Sequence, residues 1–151
     1  MDPQELLEHL RIRACSRQWL GFVQAMGQEF SAELSDQELK ALLSRIGGRF
    51  ASNHPVGECL TLQDMESSAN RLWDLIEWGR CAFDESADRV DIRHMAPPII
   101  TALGTSSWVD GFLEGVYQSW FQQAGMLSGL AVRACAPQSD DVRRLVLSRI
   151  F

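Results

Sequence analysis

Residues 106–125 read SSWVDGFLEGVYQSWFQQAG, with apolar side chains at 108, 109, 112, 113, 116, 117, 120, 121 and 124. The apolar residues come in pairs four apart. An α-helix turns about 100° per residue, so each step of four overshoots by about 40°. Over three such steps the stripe drifts by about 120° and winds around the helix. One sheet can cover one end of this stripe, but a second layer has to cover the remainder. Something besides the sheet, in this chain or in another subunit, must cover the rest.

The opposite side of that helix is equally regular. Gly111, Gly115 and Ser119 stand four apart. Small residues at this spacing leave a groove in which a second helix or a backbone can come close. One reading gives the groove to a neighbouring segment of the same chain. The other gives it to a second subunit, because tryptophan and tyrosine are favoured interface anchors. On that second reading the candidate subunit interface is Trp108, Gly111, Phe112, Gly115, Tyr117 and Ser119. A third reading, a platform of exposed rings stacking on sugars, needs those rings outside the core.

The remaining segments supply the other layers. Asp2 before Pro3 marks a helix start, and Leu6, Leu7 and Leu10 form its apolar face. A second helical pattern places Trp19, Leu20, Val23, Met26 and Phe30 together, and it can join the first as one kinked helix. Ser35 and Glu38 form a capping box ahead of a stripe of Leu39, Leu42, Leu43, Ile46 and Phe50. Thr61 caps a fourth helix, which Gly79 is placed to end. The period then changes to two. Residues 79–85 and 89–95 read as one hairpin, and 129–135 and 143–150 as a second, joined by a turn over APQSDD. Pro97 and Pro98 make residues 96–105 a loop, since neither can serve a regular ladder. The expected class is α+β: N-terminal helices, two hairpins in one antiparallel four-stranded sheet, and the aromatic helix between them. With 151 residues the chain is the size of a single domain, 1–151.

Charge and composition exclude several roles. Net charge is −6, and the basic residues are thirteen arginines and Lys40, scattered among acids. A phosphate-backbone binder concentrates positive charge, so neither nucleic acid nor an anionic membrane surface is an expected partner. No window holds about 18 consecutive apolar residues, so no membrane insertion is expected. The acidic start MDPQEL is unlike a secretory signal, which points to the cytoplasm. Cys15, Cys59, Cys81 and Cys135 form no closely spaced pair, so they read as reduced thiols and not as a zinc site.

Catalytic signatures are weak. No P-loop, GxGxxG, GxSxG or HExxH occurs in the sequence. His94 shares a strand face with Val90 and Ile92, the setting of a hydrogen-bonded core histidine. A first hairpin in register would bring Cys81 opposite His94, but nothing in the sequence supplies a third, orienting group. Glu114 is the one acid in an apolar setting, with Arg71, Arg80 and Arg133 as possible partners. We expect no catalytic, metal or cofactor-binding residue.

Two blocks carry a family resemblance. Leu75, Ile76, Trp78 and Gly79 make the first. Leu113, Glu114, Gly115, Tyr117, Trp120, Gln123, Ala124 and Gly125 make the second, followed by AVR at 131–133. In this order and at this spacing they resemble the D subunit of bacterial cellulose synthase complexes, over residues 63–133. The resemblance implies a non-enzymatic accessory subunit without cofactor. It also implies a ring-like homo-octamer, a tetramer of dimers, that works with other cellulose synthase proteins. Its task would be to align synthase complexes or nascent β-1,4-glucan chains for crystalline cellulose. Cytoplasmic and periplasmic locations are both compatible with the family, and the cysteines favour the cytoplasm. The N-terminal segment matches weakly, so no glucan-contacting residue is assigned. The alternative from another class is a small-ligand-binding regulatory domain, with its pocket between the aromatic helix and the sheet.

Overall fold

The computed structural model describes residues 1–125 and 128–150. Four helices come first: α1 (Pro3–Arg13), α2 (Leu20–Glu33), α3 (Asp36–Asn53) and α4 (Leu62–Ile76). The first hairpin follows, β1 (Arg80–Glu85) and β2 (Arg89–Met95). A short helix α5 (Ile99–Leu103), a 3-10 turn (Ser107–Asp110) and the aromatic helix α6 (Gly111–Gln123) come next. The second hairpin, β3 (Leu130–Ser139) and β4 (Val142–Arg149), closes the order.

Caps set the helix starts as the sequence indicates. The Asp2 carboxylate accepts from the Glu5 amide ahead of Pro3, Ser35 and Glu38 close a reciprocal capping box, and the Thr61 hydroxyl accepts from the Asp64 amide. One local alternative is resolved and two local readings need correction. Of the two options for the first helical patterns, two separate helices form, with Ala14 capping α1 and Trp19 opening α2. Residues 99–103 form a helix, not a loop: Pro98 cannot serve a ladder, but its φ of −66° suits the entry to a helical turn. The second hairpin turn is shorter than APQSDD. β3 runs on through Pro137, with its register broken between Cys135 and Ser139, where a proline is tolerated.

The end of α4 also differs in detail. Glu77 takes the left-handed conformation with φ 60° and closes the helix. Gly79 comes two residues later with φ 79°, and a Cβ there would collide with the Met95 carbonyl oxygen. Its task is to let the chain enter β1 against the end of β2.

The two hairpins lie side by side in one antiparallel sheet, ordered β1-β2-β4-β3. The register pairs Cys81 with His94, Phe83 with Ile92, His94 with Arg143, and Ile92 with Leu145. Every second residue therefore faces inward, giving the alternation of a sheet covered on one side. On the other face Arg93 meets Asp84 at 3.6 Å, and Asp91 lies between Arg89 and Arg144.

The core answers what covers the winding aromatic stripe. Phe83 of the sheet stands 5.9 Å from the Tyr117 ring and 5.6 Å from Phe121, centroid to centroid. Trp73 of α4 lies 5.2 Å from Trp120, and Phe50 of α3 lies 5.5 Å from Phe112. Sheet, α4 and α3 thus each take one sector of α6, and their buried residues form one continuous cluster. Such aromatic pairs add about 0.5–1.5 kcal/mol each beyond their buried area.

Candidate interaction surface

The glycine side of α6 is packed against α3. A Cβ on Gly111 would stand 2.6 Å from the Lys40 carbonyl oxygen, and one on Gly115 would strike that of Ser44. Gly47 of α3 returns the contact, since a Cβ there would strike the Phe112 carbonyl oxygen. The groove expected along Gly111, Gly115 and Ser119 is therefore real, but a helix of the same chain occupies it. Gly111, Gly115 and Tyr117 are buried, Trp108 and Phe112 nearly so, and Ser119 is half-buried. Most of the surface of these six candidate interface residues is therefore covered within the chain, Ser119 the least. Glu114, beside the groove, pairs with Lys40 at 3.1 Å and not with Arg71, Arg80 or Arg133.

The rings are also not a sugar platform. Trp73, Trp108 and Trp120 are buried, and the Trp120 indole donates to the His54 carbonyl at 2.9 Å. Trp19, on α2, is the exposed one at 60%.

A buried hydrogen-bond chain fills the space between α6 and the sheet. The Trp78 carbonyl can only accept, so His94 Nε2 carries the proton donated to it across 2.7 Å. Nδ1 must then accept, and the Tyr117 hydroxyl donates to it across 2.6 Å. Tyr117 in turn accepts from the Trp73 indole at 3.2 Å. Burial holds the His94 pKa down at about 4, against a smaller raising effect of the Trp78 carbonyl. Burial likewise pushes Tyr117 well above its ordinary value.

Cys81 does stand opposite His94, yet both ring nitrogens of His94 are engaged elsewhere. Burial also raises the Cys81 thiol to about 12. A thiol held in its neutral form beside an occupied imidazole has neither the charge nor the base that a nucleophile needs. These side chains fill the middle of the space where the alternative reading put a ligand pocket, and a cleft of about 270 Å³ lies at its edge, lined by Phe121, Leu130 and Leu147. Among the described residues, no group of three or more His, Cys, Asp or Glu side chains gathers as a metal site.

Two further polar features were not visible in the sequence. Arg143 on β4 and Asp110 ahead of α6 form a two-pronged pair at 2.7 and 2.8 Å, both almost fully buried. It ties the second hairpin to the root of the aromatic helix. Side chains also engage backbone groups of the outer strands. Asn70 exchanges two bonds with the Cys81 backbone, Glu66 accepts from the Phe83 amide, and Gln118 accepts from the Val132 amide. These contacts blunt sheet edges that could otherwise recruit a further strand.

The helical side is different. An apolar groove of about 530 Å³ opens between α2, α3 and α5, lined among others by Trp19, Val23, Ile46, Phe50, Trp78 and Phe112. Phe22 packs edge-on to Trp19 beside it and is 59% exposed. The apolar stripes read from α1 and α2 are present, but Leu6, Leu7, Leu10 and Met26 remain exposed. No residue of α1 is buried.

The centre thus pairs His94 with Tyr117 and Asp110 with Arg143, while the apolar face of α1 and α2 is uncovered. No curated protein matches the chain. Among solved structures, trafficking protein particle complex subunit 3 from Naegleria fowleri, covalently bound to palmitic acid, is similar at 13% identity, over 95% of each chain, with a TM-score of 0.48. The family model for the D subunit of cellulose synthase matches residues 5–148, and the chain belongs to that family. An accessory role in cellulose synthesis follows from this membership. No helix among the described residues is long and apolar enough to cross a membrane.

Proposed function

We propose that this chain is a non-catalytic, self-assembling subunit, one domain over 1–151, that organises cellulose synthase complexes or their nascent β-1,4-glucan chains so that crystalline cellulose forms. The observation that carries the reading is the uncovered apolar face of α1 and α2 beside a centre whose ionisable groups are already paired. A contiguous apolar face of this kind marks a site of interaction. The family supplies the expected form, a ring of eight built as a tetramer of dimers, docked on other proteins of the complex. The four cysteines are free thiols, which suits a reducing compartment and supports a cytoplasmic position.

The test is removal of the chain from a cellulose-producing cell, with glucan output and cellulose crystallinity measured separately. We expect glucan synthesis by isolated membranes to persist and crystalline order to fall, with recovery when the chain is restored. Loss of synthesis by the isolated membranes would instead make the chain part of the catalytic machinery.

A further inference from the structure

Helix α1 lies on the outside of the fold and has no buried residue. At about 100° per residue, Glu8, Arg11 and Ile12 fall on one side of it, and Leu6, Leu7 and Leu10 on the other. Of its residues Arg11 alone is partly buried. Glu8, Arg11 and Ile12 line a cleft against Gln24 of α2 and Ile100 of α5, and Arg11 pairs with Asp141 at 2.6 Å. The apolar side chains of α1 are all exposed, Leu6, Leu7 and Leu10 at 47%, 38% and 55% and Ile12 at 56%. An eleven-residue helix is marginal in water by its own propensity and takes its stability from burying its apolar face. Here that face is bare, and one half-exposed ion pair is a weak substitute.

The leucine ridge runs directly into the open groove. Ala14 continues the ridge and also lines the groove, together with Trp19, Val23 and Ile46. Each chain therefore presents a ridge and a groove side by side. A two-fold axis turns such a surface into two identical contacts, ridge of each copy in groove of the other. The area is sufficient. At 60% and 59% exposure, the Trp19 and Phe22 rings alone leave roughly 200–300 Å² uncovered. Leu6, Leu7, Leu10 and Ile46 bring the patch toward the ~800 Å² that a standard interface takes from each partner.

We infer that a second copy of this chain covers this surface, with the Leu6–Leu7–Leu10 ridge of one copy seated in the Trp19–Ile46 groove of the other. The inference rests on the self-assembly reading above and assigns that assembly its pairing contact.

The test uses the full chain and two variants at exposed positions, Leu6→Glu/Leu10→Glu on the ridge and Met26→Arg/Ile46→Arg in the groove. Circular dichroism checks that each is folded, and sedimentation velocity reads the mass. Each variant alone should fall to half the wild-type mass or less. An equimolar mixture should regain at least a two-fold larger mass, because acidic ridges then meet basic grooves. If the wild-type chain is itself a single copy, the self-assembly reading fails and this inference with it. If the wild-type chain assembles but the variants keep its mass, or their mixture regains none, the pairing contact lies elsewhere and only this inference is overturned.

Discussion

The Tyr117 hydroxyl donates to Nδ1 of His94 across 2.6 Å in the buried space between the aromatic helix and the sheet. The bond fixes which form of the imidazole the fold can hold. Protonated at both nitrogens, His94 would face a hydroxyl already committed as a donor, in a site without solvent.

Stability should therefore fall on acidification. The folded pKa of His94 is about 4 against an ordinary value of 6.5, so between these values the unfolded chain binds the extra proton. The contribution is complete above about pH 6.5 and is lost as pH falls toward 4, up to about 3 kcal/mol in all. Urea unfolding at pH 7.5, 5.5 and 4.5 measures this. In His94→Gln the slope over that interval should flatten, and an equal slope in the variant would assign it to other groups.

Tyr117→Phe keeps the ring and removes the hydroxyl. It orphans both the Trp73 indole N–H and His94 Nδ1, so the loss should be about 2–6 kcal/mol, from about 1–3 for each buried orphan. A midpoint shift below about 0.5 kcal/mol would mean the chain Trp73–Tyr117–His94–Trp78 is not intact.

Asp110→Ala should cost about 3–5 kcal/mol, because it leaves the Arg143 guanidinium buried without its partner. Replacing both, Asp110→Leu with Arg143→Met, should recover most of that loss. Chemical denaturation of the two variants separates the cost of an orphaned charge from the worth of the pair.

Gly115→Leu should unfold or strongly destabilise the single chain, since the new side chain must enter where the Ser44 carbonyl sits. Even Gly115→Ala should cost about 1–3 kcal/mol. Thermal melts decide. A variant that keeps the wild-type melting temperature and loses only its assembly would return the groove to a second subunit.

The tryptophans should divide sharply. Trp120→Ala should cost roughly 3–5 kcal/mol, as for any large core side chain. Trp19→Ala, at an exposed position, should change the stability of one chain by less than about 0.5 kcal/mol. Its effect should appear in the mass of the assembly instead.

Much of this architecture was legible in the sequence because it rests on period and caps. The alternation around Val90, Ile92 and His94 gave both the strand and the inward face of the histidine. The winding stripe of α6 required more than one covering layer, and the Gly111–Gly115 spacing required a close neighbour. Sequence could not say whose helix that neighbour was, because spacing records the room and not the occupant. Residues 99–103 were missed for a similar reason: two prolines exclude a ladder, but they equally suit a helix entry. The Arg143–Asp110 pair left no signal, since its members stand 33 residues apart and meet only when β4 crosses the root of α6. The exposed face was half legible. The apolar stripes of α1 and α2 were visible as patterns, but a stripe does not say whether its own chain will bury it.

The most direct test of self-assembly is a native mass spectrum of the purified chain at low micromolar concentration. The account predicts a dominant species of eight copies of the 17.0 kDa chain, with pairs as the smaller unit on dilution. A single copy at that concentration would contradict it, and would leave the bare leucines of α1 and the groove beside Trp19 to a different partner.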